Sequence, residues 1–120
     1  MNTYEIERTV ANDKCLSKIF LGVFASDQLP KVVEKPSRLI ANTDPSNKPG
    51  QHWVALFFSE NAEYFDSYGM PPLRAFDIYK PLLENRYCLQ NSYSTACGEF
   101  CIYFLHKRVR GHRLESIVYC

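Results

Sequence analysis

The 120-residue chain predicts an α+β fold. Apolar residues repeat at helical spacing near both ends, continuous apolar runs bounded by turn residues fill the middle, and the segment order is helix, strands, helix, strand, helix. A parallel doubly wound sheet would need strands and helices to alternate, and this order does not. The length predicts a single domain over residues 1–120, since domains commonly run to about 100–200 residues. With 46% hydrophobic and 22% charged residues, the composition excludes a disordered tail and a fibrous repeat. Eight Phe, eight Tyr and Trp53 predict an aromatic core.

Thr3 to Asn12 reads as a short amphipathic helix with Tyr4, Ile6 and Val10 on one side. Ile19 to Ala25 is an apolar run suited to a strand. Pro30, Pro36, Pro45 and Pro49 punctuate a long connection, interrupted at Arg38 to Asn42 by a brief strand. Gln51 to Phe58 is almost continuously apolar, Ser59 to Ala62 is turn-like, and Glu63 to Tyr68 resumes with aromatics, which predicts a hairpin of two central strands. Pro71 and Pro72 suit the first turn of a helix. Leu73, Phe76, Tyr79, Leu82 and Leu83 continue it at helical spacing across Pro81, which must kink or interrupt it. Arg86 to Gln90 is long enough for one more strand. From Ala96 onward, Cys97, Phe100, Cys101, Phe104 and Leu105 recur at i, i+3, i+4, i+7 and i+8, a buried helix stopped near Gly111.

A formal charge of +1, from 14 Lys and Arg against 13 Asp and Glu, creates no overall field for a nucleic-acid backbone or an anionic membrane. Lys107, Arg108, Arg110, His112 and Arg113 form a locally basic tail, read as a solvated helix face rather than a phosphate site. No segment approaches the ~20 apolar residues of a membrane span, and Met1 to Leu16 carries no run like a signal peptide. An intracellular protein, nuclear or cytoplasmic, is expected. Five cysteines, an odd number without a CxxC pair, predict free thiols. Cys97, Cys101, His106 and His112 could be drawn as a metal cluster, but the gap between the cysteines and the histidines is too short for a finger with its own turn. Neither a metal nor a small cofactor is expected.

A thiol nucleophile needs a lowered pKa, a base to hold its proton and donors for the oxyanion. Ser94 and Thr95 are good caps just before Cys97, which puts the thiol in a first helical turn, where free N–H groups and the helix dipole favour a thiolate. Gly98 leaves room beside it for a substrate backbone. A small buried residue on an apolar helix face would look the same locally. His52 opens the most apolar strand after the Pro49–Gly50 turn, where a base can project from a strand end, although a histidine beside Trp53 is more often a packed or surface residue. Asp66 ends the neighbouring strand at the same edge of the hairpin, either to orient the imidazole or to cap the turn before Gly69. Gln90 could aim its amide N–H at an oxyanion or simply lie on the surface.

In the order His52, Asp66, Gln90, Cys97, these residues sit in the motifs HW, YFDSYG and LQNSYSTACGEFC, preceded by FLGVFASDQLP and RLIANTDPSNKPGQHW. That pattern resembles the family of adenain, the adenovirus cysteine protease, and more broadly the ubiquitin-like-protein (SUMO-type) proteases. The resemblance runs from about Ile19 to Leu105. It implies a small mixed sheet packed by a nucleophile-bearing helix, with His52 as general base and acid, Asp66 as its orienter and Cys97 as nucleophile. It also implies Gln90 as an oxyanion donor with the backbone N–H of Cys97, and Trp53 and Gly98 at the substrate cleft. Cys101 becomes a packing residue under Cys97, and Asp77 is the weaker candidate for the acidic position.

The implied activity is a peptidase acting through an acyl-enzyme on viral or mobile-element proteins, as in DNA viruses and Polinton or Maverick transposons. The alternatives are a deconjugase of ubiquitin-like modifiers and an inactive relic serving as a binding module. The interval from Asp66 to Gln90 is shorter than in adenain, and the fold is expected to be shortened at its C-terminus. Adenain's activators are a disulfide-linked viral peptide and DNA. Cys88 is only a loose candidate for that disulfide, and near-zero charge argues against DNA, so neither activator is carried over and a protein or peptide substrate is the partner expected.

Overall fold

The computed structural model describes residues 1–47, 52–85 and 96–119. Helix α1 (Thr3–Ala11) starts where Asn2 accepts a hydrogen bond from the Glu5 N–H at 2.8 Å and Glu5 accepts one from the Asn2 N–H at 3.0 Å. Ile6 and Val10 are buried, whereas Tyr4, expected beside them, is exposed. Two positions before Ile6 lies roughly 200° around a helix, on its far side.

Strands β1 (Phe20–Phe24), β2 (Ser37–Asn42), β3 (Trp53–Phe58), β4 (Ala62–Phe65) and β5 (Leu82–Glu84) form one mixed sheet in chain order. The inner pairs are antiparallel, and β1 and β5 join in parallel at the two edges. The expected hairpin is β3–β4, with Leu56 aligned to Leu39 on one side and Tyr64 on the other. Both faces of β3 are covered, which is why its sequence is apolar without alternation.

On one face, Ile40, Ala55, Phe57 and Phe65 pack with Ile6 and Val10 of α1 and with Cys101, Phe104 and Leu105 of α2 (Cys97–Val109). The Phe65 and Phe104 rings stack 4.6 Å apart. This contact seats α2 on the sheet. Helix α3 (Leu114–Tyr119), too short to stand out in the sequence, adds Ile117 to the same core. The opposite face packs Leu39, Val54, Leu56 and Phe58 against Phe76 and Tyr79 of a 3-10 helix (Arg74–Tyr79).

Two expectations are corrected here. The helix predicted across Pro81 ends at Tyr79, and Leu82 and Leu83 belong to β5, paired with Ala62 and Glu63. Proline lacks the N–H that would extend a helix, so it ends the helical spacing that Leu82 otherwise fits. The strand expected over Arg86 to Gln90 lies outside the described residues. The basic tail is also not simply a solvated face. Arg108 donates through Nε and Nη2 to the two carboxylate oxygens of Glu63, at 2.7 and 2.9 Å, and its guanidinium lies 4.4 Å from the Phe57 ring centre. Arg110 and His106 both reach Asp13, at 3.3 and 3.2 Å.

Because Glu63 is buried, Arg108→Ala would strand its charge as well as remove a packed side chain. A loss of about 3 kcal/mol is expected in denaturant unfolding. Arg108→Ala combined with Glu63→Ala should cost less than the sum of the single changes, since the two side chains act as a pair.

Candidate active site

His52 stands one residue before β3, and its carbonyl accepts the Thr43 N–H at 2.9 Å, which fixes its backbone to the end of β2. Asp66 stands one residue after β4. The β3–β4 register pairs Ala55 with Phe65, so continuing it brings residues 52 and 66 to the same end of the hairpin. There the His52 Nε2 lies 2.7 Å from the Asp66 Oδ1.

Asp66 is 3% exposed and held from several sides. Its N–H donates to the Asn85 Oδ1 at 2.9 Å, while the Asn85 Nδ2 donates back to its carbonyl at 2.6 Å. Its carboxylate accepts the Tyr68 N–H at 2.8 Å, and its carbonyl accepts the Gly69 N–H at 2.8 Å. The two local readings of Asp66 therefore coexist, since it caps the turn before Gly69 and also binds the imidazole. The His52 ring stacks on Tyr68 with centroids 4.6 Å apart.

Cys97 is the first residue of α2, as the helical periodicity predicts. Its N-cap is Ala96, which offers no side-chain acceptor, while Ser94 and Thr95, expected as caps, lie outside the described residues. The thiol is 6% exposed and meets His52 together with the backbone N–H groups of Trp53 and Gly98. Burial is the largest single influence on the thiol and raises its pKa. The contact with His52, the two N–H groups and the imidazolium charge together outweigh burial, and the net pKa is below the ordinary thiol value.

His52 shows the complementary balance. Burial pushes its pKa down, but the bond to Asp66, the contact with Cys97 and the negative charges of both lift it to about 9. The thiol–imidazole contact is looser than a conventional hydrogen bond. The His52 Nδ1, left over from the Asp66 pairing, is buried without a conventional partner among the described residues, yet each group shifts the titration of the other. Such slack is common before substrate binds.

Cys101 lies one turn further along the helix and is fully buried, and burial pushes its thiol pKa well up. Two cysteines four residues apart are thus driven in opposite directions. Ionisation is favoured at the first, while the second is packed in the apolar core. Among the described residues, no three His, Cys, Asp or Glu side chains converge as a metal site would require. His106 turns to Asp13 and Cys101 to the apolar core.

Trp53 and Gly98 meet beside the thiol. The Trp53 indole N–H donates to the Met1 carbonyl at 3.1 Å. A Cβ placed on Gly98 would come within 3.2 Å of the Met1 Cβ and 3.4 Å of the Trp53 Cδ1. The space that Gly98 was expected to leave for a substrate is therefore bordered by Met1 as well as Trp53. Gln90 lies outside the described residues. Asp77 sits on the 3-10 helix, paired with Lys80 at 3.1 Å, and takes no part in the site. Sequence reasoning missed Tyr68, Asn85 and Met1. Of these, only Tyr68 had a usable signal, because the hairpin register puts it across from His52.

No protein-family model matches the chain. It is 30% identical to a protease of bovine adenovirus 2, over 82% of this chain and 59% of that protein. It is 27% identical to a protease of bovine adenovirus B serotype 3, over 86% of this chain and 62% of that one. The chain thus spans about three-fifths of the length of these curated relatives. The crystal structure of the ASFV pS273R protease superposes with a TM-score of 0.69 at 18% identity, covering 99% of this chain and 61% of that one. The mixed-sheet α+β fold is shared, and the likeness to adenain-like proteases extends from the motifs to most of the chain.

Proposed function

From a chain that is adenain-like in sequence and fold, we propose a thiol peptidase that hydrolyses peptide bonds at Cys97. The observation that carries this reading is the thiol at the start of α2, set against an imidazole whose other nitrogen is held 2.7 Å from a buried carboxylate. In the mechanism, the Cys97 thiolate attacks the peptide carbonyl carbon. The resulting oxyanion is received by the backbone N–H of Cys97 and, as the family resemblance implies, by Gln90. The imidazolium of His52 then gives its proton to the departing amine as the C–N bond breaks, leaving a thioester. His52 next takes a proton from water, the hydroxide displaces the thiolate, and the acid product leaves. Asp66 keeps the ring oriented throughout and balances its charge.

The substrate class proposed is a viral or mobile-element protein cut at internal peptide bonds, inside the cell. The ground is the likeness to adenovirus proteases. Peptides drawn from capsid-like proteins would be cleaved on this reading. Cleavage confined to fusions of ubiquitin-like modifiers would instead assign the enzyme to deconjugation.

The test is the pH dependence of Cys97 alkylation, followed by peptide-mapped mass spectrometry. The reactive ion pair exists from the lowered thiol pKa up to about 9, where His52 loses its proton. Alkylation should therefore be fast well below the ~8.5 of a free thiol, and it should fall only under the lowered Cys97 pKa. Asp66→Asn should shift the lower limb upward while Cys15, an exposed thiol, keeps its profile. A Cys97 no faster than Cys15 at pH 6 would overturn the reading in favour of a binding module.

A further inference from the structure

A cavity of about 410 Å³ opens beside the site, between the first residues of the chain, the end of β1 and the loop that follows β2. It is joined to the nucleophile by shared walls, because Trp53 and Met1 line it and also border Gly98, the neighbour of Cys97. Val23 and Phe24 give it an apolar side. Asp44 is the only carboxylate among its described lining residues.

The Asp44 backbone is fixed: its N–H donates to the Asn42 Oδ1 at 2.8 Å, and its carbonyl accepts the Ser26 N–H at 3.0 Å. Its carboxylate has no hydrogen-bond or ion-pair partner among the described residues. Asp27, close by in the same region, is satisfied by Ser46 through bonds of 2.7 and 2.8 Å. A half-buried carboxylate on a pinned loop, at the rim of a partly apolar cavity, suits a long side chain with an apolar stem and a cationic head. The indole face of Trp53 suits the same cation.

We propose that this cavity is a side-chain subsite of the peptidase and that Asp44 makes it select a lysine or arginine near the scissile bond. The proposal rests on the peptidase reading but can fail separately from it. Trp53 is the sole tryptophan of the chain, so its fluorescence reports occupancy without any turnover. Cys97→Ala protein would be titrated with N-acetylated hexapeptide amides carrying one lysine at successive positions, and with matched peptides carrying norleucine, which keeps the stem and removes the charge.

At one position, lysine should bind about fivefold more tightly than norleucine, the scale of a partly exposed ion pair. Asp44→Asn should bring that ratio to about one, and 0.5 M salt should reduce it in the unchanged protein. Equal binding at every position, a ratio unmoved by Asp44→Asn, or no Trp53 response to any peptide would each overturn the subsite. A lysine preference that persists while unmodified Cys97 neither cleaves nor alkylates would uphold the subsite and sink the peptidase reading instead.

Discussion

His52→Ala is expected to lower kcat/KM by about a thousandfold on any peptide the protein cleaves, and Cys97→Ser to remove measurable cleavage. A positioned acid–base side chain contributes roughly 10²- to 10⁴-fold. Here the imidazole serves twice, because it also supports ionisation of the thiol. Burial is the largest influence on Cys97 and acts against the thiolate, so removing His52 leaves burial opposed only by two backbone N–H groups. The pH profile should consequently move up, beyond that of an exposed cysteine. Far-UV circular dichroism should be unchanged, since His52 precedes β3 and its ring reaches the Asp66 turn rather than the helix-side core. A His52→Ala protein with intact fold and unchanged cleavage would rule out the proposed mechanism.

Phe104→Ala should be the most disruptive single change to the fold. Phe104 is fully buried and stacks at 4.6 Å on Phe65 of β4, the residue just before Asp66. Removing a buried phenylalanine costs about 3–5 kcal/mol in lost burial and cavity formation, which for a chain of this size means a fall in Tm of roughly 10–20 °C. Thermal unfolding by circular dichroism measures it directly. A fall below about 3 °C would mean that α2 is seated by other contacts. The substitution should also slow Cys97 alkylation at pH 6, because the helix carrying the thiol and the turn carrying Asp66 are registered against each other through this ring pair.

The sequence made the centre of the site legible and left its supports dark. His52 and Asp66 could be brought together because a hairpin places residues before and after its strands at one end, and the turn at Ser59 to Ala62 was readable. Cys97 could be placed in a first helical turn because cap residues, Ser94 and Thr95, precede it and the apolar stripe of α2 begins there. Asn85 carries no such pattern, since the residue after a three-residue strand takes its role from tertiary neighbours, and Tyr68 was legible only through the hairpin register that sets it across from His52. Leu82 and Leu83 satisfied a helical spacing by coincidence. A parallel edge strand this short shows no alternation of its own, and only Pro81 argued against the helix. Arg108 looked like part of a solvated run because its partner, Glu63, lies 45 positions away in the chain.

The proposed reactive centre is distributed along the chain in a particular sequence. The base comes before β3, the carboxylate after β4, the asparagine that steadies it after β5, and the sulfur only with α2. A chain that has emerged only as far as β5 lacks the thiol altogether, and on the proposed mechanism Cys97 gains its lowered pKa only once α2 packs against the sheet. On that reading, chemical competence is a late event of synthesis, because the residue that would carry it is the last of the four in the chain.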